Sequence, residues 1–171
     1  KEWGFMGGHG IVGGQAPLAL GAAFAIKYEE KNELVVCLLG DAAMNQGQVF
    51  ETFNMAALWK LPVIFVIENN QYAMGTSLKR ASSSPALFTR GAAFGIPGQA
   101  VDGMDVLKVR AAGEIATNHC RSGKGPFILE MNTYRYRGHS MSDPAKYRTR
   151  DEVQKMRSER DPITNLRKML I

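Results

Sequence analysis

Two apolar runs decide the fold: Leu34-Val35-Val36-Cys37-Leu38-Leu39, closed by Gly40-Asp41, and Val63-Ile64-Phe65-Val66-Ile67, which opens after Pro62 and leads to Asn69-Asn70. Each has the length of a strand and no polar alternation, the pattern of a parallel strand covered on both faces. Between them residues 46–60 read as a helix, because Val49, Phe50, Phe53, Ala56 and Ala57 share one face of a 3.6-residue repeat. A strand, a helix and a second strand make a βαβ unit with a right-handed crossover.

The alternation continues outward. Upstream, residues 14–30 read as a helix of small and aliphatic side chains (Ala16, Leu18, Ala19, Leu20, Ala22, Ala23, Ala25, Ile26). It is apolar nearly all round until Lys27, so deep burial is expected. Downstream, residues 99–101 read as a short strand. Asp105 caps a helix reaching about Arg121, and Phe127-Ile128-Leu129-Glu130-Met131 reads as another strand. Residues 135–148 form a polar loop. Thr149-Arg150-Asp151-Glu152 has the form of a capping box, and Asp161-Pro162 is an N-cap followed by proline at the first helical position. The expected fold class is α/β: a mostly parallel open sheet with helices on both faces, as a single domain over residues 1–171. The chain opens on Lys1 inside a glycine-rich stretch, and a longer parent protein at both ends is expected.

Composition narrows the function classes. The 171 residues are 45% apolar and 22% charged, which excludes a disordered, collagen-like or disulfide-framed chain. No apolar run approaches the ~20 residues of a membrane helix. The formal charge is +5, but residues 1–78 carry 4 basic and 7 acidic groups while residues 79–171 carry 17 and 9. The basic half has no stripe interleaved with aromatics, so the phosphates of a small molecule suit it better than nucleic acid. Cys37 and Cys120 lie in apolar contexts without metal-ligand spacing and read as small buried hydrophobes in a reducing compartment.

The chemistry concentrates at the two strand ends. Asp41 closes one run and Asn70 follows the other, 29 residues later. Ligands of open α/β sheets bind outside the carboxyl ends of the strands. If the strands are neighbours, a carboxylate and a carboxamide oxygen face one crevice ~5 Å apart. Hard oxygens suit Mg²⁺ or Ca²⁺, with ligand phosphates completing the shell. The loop Asp41-Ala42-Ala43-Met44-Asn45-Gln46-Gly47 feeds a helix N-terminus, which attracts phosphate. The bland alternative makes Asp41 a helix N-cap and Asn70 a turn residue. A second glycine cluster, Gly8-His9-Gly10-Ile11-Val12-Gly13, satisfies the G-x-G-x-x-G spacing, but residues 1–6 make a poor strand before it, which argues against a nicotinamide site.

Gly40-Asp41 and Asn69-Asn70 together resemble the thiamine diphosphate motif, a Gly-Asp-Gly about thirty residues before an Asn pair. The resemblance extends through residues 7–13, 45–51, 54–62, 68–76 and 134–150, and it is to the E1 alpha subunits of pyruvate dehydrogenases. Alpha subunits of branched-chain 2-oxoacid and acetoin dehydrogenases share the metal motif. They depart from residues 55–60 and 137–144 taken together, and remain the alternative, beside a non-catalytic assembly fragment.

The resemblance implies a thiamine diphosphate-binding fold. In it, Asp41, the Asn70 side chain and the Tyr72 carbonyl hold Mg²⁺, and Ala42 and Ala43 offer backbone contacts to the diphosphate. Gly10 and Val12 meet the aminopyrimidine through main chain. His139 reaches the diphosphate as the residue nearest catalysis, and Met74 supports the bent cofactor; for Tyr72 and Met74, core packing is an even alternative. It also implies pyruvate as substrate, a beta subunit supplying the activating glutamate, and acyl transfer to a lipoyl group of the E2 component. The 171 residues alone are expected to be inactive. Ser140 and Ser77 match phosphorylated positions of mitochondrial relatives. The family's second loop serine is missing from residues 142–147, which favours a bacterial cytoplasm over a mitochondrial matrix. One departure stands out: the motif's second glycine is Ala42 here, which would strain the backbone if that position needs positive φ.

Overall fold

The structure, a computed structural model, describes residues 4–171. In chain order the elements are α1 (Gln15–Tyr28), β1 (Val35–Gly40), α2 (Gly47–Leu58), β2 (Val63–Asn69), β3 (Tyr72–Ala73), β4 (Thr76–Ser77), α3 (Leu78–Ala81), β5 (Gly98–Asp102), α4 (Val106–Arg121), β6 (Phe127–Asn132), α5 (Arg150–Arg160) and α6 (Pro162–Leu170). Two 3₁₀ segments, Ala42–Asn45 and Leu87–Phe94, lie between them. Strands β1, β2, β6 and β5 form one sheet in that order, every pair parallel. Strands β3 and β4 make a small antiparallel hairpin beyond the end of β2.

Helices cover both faces. On one, α1, α2 and the 87–94 segment bury Ala16, Ala23, Val49, Phe53 and Leu87 against Leu39, Phe65 and Ile128. The Phe53 ring meets Phe65 edge-on at 4.8 Å. On the other, α4 buries Ala112, Ala116 and Cys120 against Ile64, Phe127 and Leu129. Each large side chain so buried contributes about 1.5–3 kcal/mol by leaving water. Both cysteines are free and buried, and desolvation pushes the Cys37 thiol up to about 12 and the Cys120 thiol to about 11. The caps read from the sequence form. Asp105 accepts from the Leu107 and Lys108 amides, Thr149 from Glu152 and Asp161 from Thr164.

Two expectations are corrected. Strand β1 is covered on one face only: Cys37 and Leu39 are buried, while Val36 and Leu38 are 54% and 58% exposed. Helix α4 packs mainly on β6, β5 and β2. Helix α1 is not buried all round, because only Ala16, Ala19, Leu20 and Ala23 face the sheet, and Leu18, Phe24 and Tyr28 are exposed. The poor strand read over residues 1–6 falls partly outside the described residues; from Gly4 to Gly10 no strand forms. No helix among the described residues is long and apolar enough to cross a membrane.

Candidate cofactor and metal site

The pairing of β1 with β2 brings the two motif ends to one edge of the sheet. Gly40 lies opposite Glu68, so Asp41 and Asn69-Asn70 continue neighbouring strands about one strand spacing apart. Asp41 is 3% exposed. Burial pushes its carboxyl above the usual range, opposed by the amides of Asp41 and Ala42 and by the positive charge of Arg135. A buried carboxyl in this state gains from a cation. Asp41 takes the N-cap position of the 3₁₀ turn that follows, without a side-chain capping hydrogen bond, and Asn70 Oδ1 accepts from the Tyr72 amide (3.3 Å).

That turn runs without backbone strain. Asp41 has φ −54°, and Ala42 is not among the non-glycine residues with positive φ. Position 42 therefore does not need glycine for its conformation here. Ala43 and Met44 are buried and anchor the turn in the core. From outside, Arg90 Nη1 donates to the Met44 carbonyl (2.6 Å) and to Asn45 Oδ1 (2.9 Å), and Nη2 donates to Ser82 Oγ (2.7 Å).

The Asn70 side is built differently. Gln71 and Met74 both adopt left-handed backbone, with φ 71° and 52°, at about 1–2 kcal/mol each for an L-residue. Strain of this kind persists where surrounding contacts over-determine it. Arg135 Nη1 donates to Asn70 Oδ1 (3.4 Å) and to the Tyr72 carbonyl (3.2 Å), and Nη2 donates to the Met74 carbonyl (2.6 Å). A guanidinium thus rests on two of the three oxygens assigned to a metal by the resemblance, beside Asp41. The donor set of one carboxylate, one carboxamide and one carbonyl is hard and incomplete, as Mg²⁺ bound through a phosphate ligand requires. No group of three His, Cys, Asp or Glu side chains among the described residues is placed to hold a metal, so any ion here depends on neutral oxygens. The Met74 side chain is exposed.

The polar loop ties to this turn. Arg148 is 4% exposed along its side chain. It lies over the rings of Tyr134 (4.3 Å) and Tyr72 (4.8 Å), and its Nη2 donates to the Asn70 carbonyl (2.7 Å). Tyr147 accepts from Arg135 Nη2 (2.6 Å) and donates to Asp143 Oδ2 (2.7 Å), which also accepts from the His139 amide (2.7 Å). The His139 amide is the largest of the contacts that hold the Asp143 carboxyl down to about 2. His139 itself is exposed, and so is Arg137. Gly10 and Val12 lie in an exposed loop pinned to the same edge: Gln48 donates to the Val12 carbonyl (3.2 Å), and Gln15, opening α1, donates to that of Leu38 (2.9 Å). Gly13 turns the loop with φ 80°.

Two cavities open near the carboxyl ends of the strands. One of about 440 Å³ sits between the start of α4 and α6, and one of about 390 Å³ sits beyond the ends of β2, β6 and β5. Neither is lined by Asp41, Asn70 or His139, although the second is lined by Asn69 and Gln71, on either side of Asn70. Sequence reasoning passed over Arg90, Glu130 and Arg148 as site-forming residues. A glutamate inside the apolar run of β6 was the visible signal for Glu130. The two arginines gave no local signal, because their partners lie 46 and 78 residues away.

Comparison with known proteins adds the family. The model described as Dehydrogenase E1 component matches residues 1–171. The chain is 64% identical over 170 residues to the pyruvate dehydrogenase E1 component subunit alpha of Rhizobium meliloti, covering 99% of this chain and 49% of that protein. It is 61% identical over 166 residues to the same subunit of Zymomonas mobilis (97% and 47% covered) and 58% identical over 168 residues to the mitochondrial subunit of Sminthopsis macroura (98% and 46%). The chain spans about half the length of the curated relatives it matches. A solved structure described as a candidate thiamin diphosphate-dependent enzyme from Mycobacterium smegmatis superposes with a TM-score of 0.59 at 21% identity, over 74% of this chain and 23% of that one. At that identity it speaks for the α/β fold alone.

Proposed function

The chain belongs to the Dehydrogenase E1 component family, and on that premise we propose that it carries the diphosphate- and cation-binding part of a pyruvate dehydrogenase E1 alpha subunit. The supporting observation is the oxygen cradle at the sheet edge, where a buried Asp41 carboxyl faces the turn whose Asn70 Oδ1 and Tyr72 carbonyl already attract a guanidinium. Asp41, Asn70 and Tyr72 would hold Mg²⁺ there. The Ala42 and Ala43 amides would meet the diphosphate at the unstrained turn, and His139 would approach it from the loop held by Asp143. The main chain of Gly10 and Val12 would meet the aminopyrimidine, with Met74 below it.

Thiamine diphosphate, when bound, supplies the carbanion chemistry that decarboxylates a 2-oxo acid. The residues of this chain anchor and orient its charged end. A beta subunit would supply the opposite wall and bring the activating glutamate. The acyl group from pyruvate would pass to a lipoyl group on the E2 component. Identity is higher to the two bacterial relatives than to the mitochondrial one, which favours a bacterial cytoplasm.

Calorimetry on the full-length chain assembled with its beta subunit tests this reading. Thiamine diphosphate should bind only with Mg²⁺ present, and Asp41→Ala should weaken that binding at least about 100-fold, as loss of a buried charged ligand to a divalent ion implies. Undiminished binding to Asp41→Ala, or binding of NAD in its place, would overturn it. Pyruvate turnover by the 171-residue chain alone would overturn the need for a second subunit.

A further inference from the structure

Glu130 is a buried charge that the proposed function leaves unused. It is 3% exposed and sits in the apolar strand β6, between Ile67 of β2 and Ala100 of β5. An unpaired charge there would be costly, and two donors meet it. Asn69 Nδ2 donates to Oε1 (2.6 Å) and the Phe88 amide donates to Oε2 (2.9 Å). Arg90 is close enough to feel its charge.

The chemistry of that pairing fixes a direction. An ionised carboxylate only accepts hydrogen bonds, so Asn69 must turn its amino group toward Glu130 and its carbonyl oxygen away. Asn69 Oδ1 then accepts from the Gln71 amide (3.0 Å) and from Gln71 Nε2 (2.9 Å). Gln71 is the residue forced to φ 71°. The turn it makes carries Asn70 Oδ1 and the Tyr72 carbonyl on either side.

We propose that Glu130 is a positioning residue for the cation cradle: by setting which end of the Asn69 carboxamide faces Gln71, it holds the left-handed turn that presents Asn70 and Tyr72 to Asp41. This rests on the metal reading above. A glutamine at position 130 could donate to Asn69 Oδ1, and Asn69 would flip to meet it. Its amino group would then face the Gln71 amide, donor against donor, and the turn would lose its hold.

The test uses Mn²⁺ as the probe, read by electron paramagnetic resonance on the full-length chain with its beta subunit and thiamine diphosphate. Glu130→Gln should weaken Mn²⁺ binding about tenfold, the scale of one charge-assisted hydrogen bond. In a Gln71→Gly background, where glycine takes the left-handed φ without a cap, the same change should cost less than about threefold. A general loss of core packing would be equally large in both backgrounds. Unchanged binding by Glu130→Gln, or an equal loss in both backgrounds, would overturn the proposal. Should Glu130→Gln not fold, Asn69→Ala in the same two backgrounds replaces it, with the same expectations. Asp41→Ala is the reference: if it holds Mn²⁺ like the parent, the metal reading falls, whereas its loss beside an unaffected Glu130→Gln sinks only the present inference.

Discussion

The two sides of the cradle are made by opposite means. On the Asp41 side the chain leaves β1 into a 3₁₀ turn with ordinary torsions, and Ala43 and Met44 fasten it to the main core. On the Asn70 side the chain passes through two left-handed residues, with Gln71 and Met74 exposed. Arg135, Arg148 and the Asn69–Glu130 pair hold it by polar contacts. One side rests mainly on packing, with Arg90 bracing it at the Met44 carbonyl and Asn45, and the other on charge and hydrogen bonds. Packing is nearly indifferent to salt and pH, whereas polar holds respond to both.

The contrast can be attacked in order of expected effect. Phe53→Ala strikes the packed side and should lower unfolding free energy by about 3–5 kcal/mol in denaturant titration. Arg148→Met strikes the polar side. It leaves the Asn70 carbonyl without its partner and should cost about 1–3 kcal/mol, with faster proteolysis within residues 135–148. If Arg148→Met proved as damaging as Phe53→Ala, the division of labour would be wrong.

Acid should separate the sides further. The Asp143 carboxyl is held down to about 2 from 3.8. A depressed pKa contributes stability present above the unfolded value and lost as pH falls through the folded one. The loop carrying His139 should therefore loosen between about pH 4 and pH 2, followed by amide exchange at residues 139–147. The Asp41 carboxyl is raised instead, so its burial favours folding at low pH and weakens as pH rises. Cation binding needs its ionised form and should fade, on acidification, at a higher pH than an exposed aspartate would give. The smallest effect should come from Ala42→Gly. Restoring the family's glycine relieves no positive φ, and cofactor affinity measured by calorimetry should change less than about threefold; a large gain would show a steric role for the missing Cβ.

The elements with strong periodicity were legible. Strand β2 and helices α2 and α4 sit within a few residues of their sequence readings, because continuous apolar runs and one-faced helices carry their own signal. The segment from Gln71 to Pro97 was not legible. Its two-residue strands and four-residue helix are too short to show a period, and their shape depends on partners far along the chain. At the site, the approach of Asp41 to Asn70 was read only on the condition that the two strands are neighbours, and the pairing of β1 with β2 meets that condition. The grip of Arg135 and Arg148 did not, since a basic loop reads the same whether its charges face solvent or a row of carbonyls. The bare side of β1 was equally hidden, because an apolar run says what wants cover and not whether cover arrives.

That bare side has a practical corollary. Strand β1 is also an outer strand of the sheet among the described residues, so Val36 and Leu38 offer water a greasy ribbon along an edge where Gln15 meets the Leu38 carbonyl. Such a margin invites sticking between molecules. A preparation of these 171 residues by themselves should show weight-average mass climbing with concentration in sedimentation, and Leu38→Lys should flatten that climb.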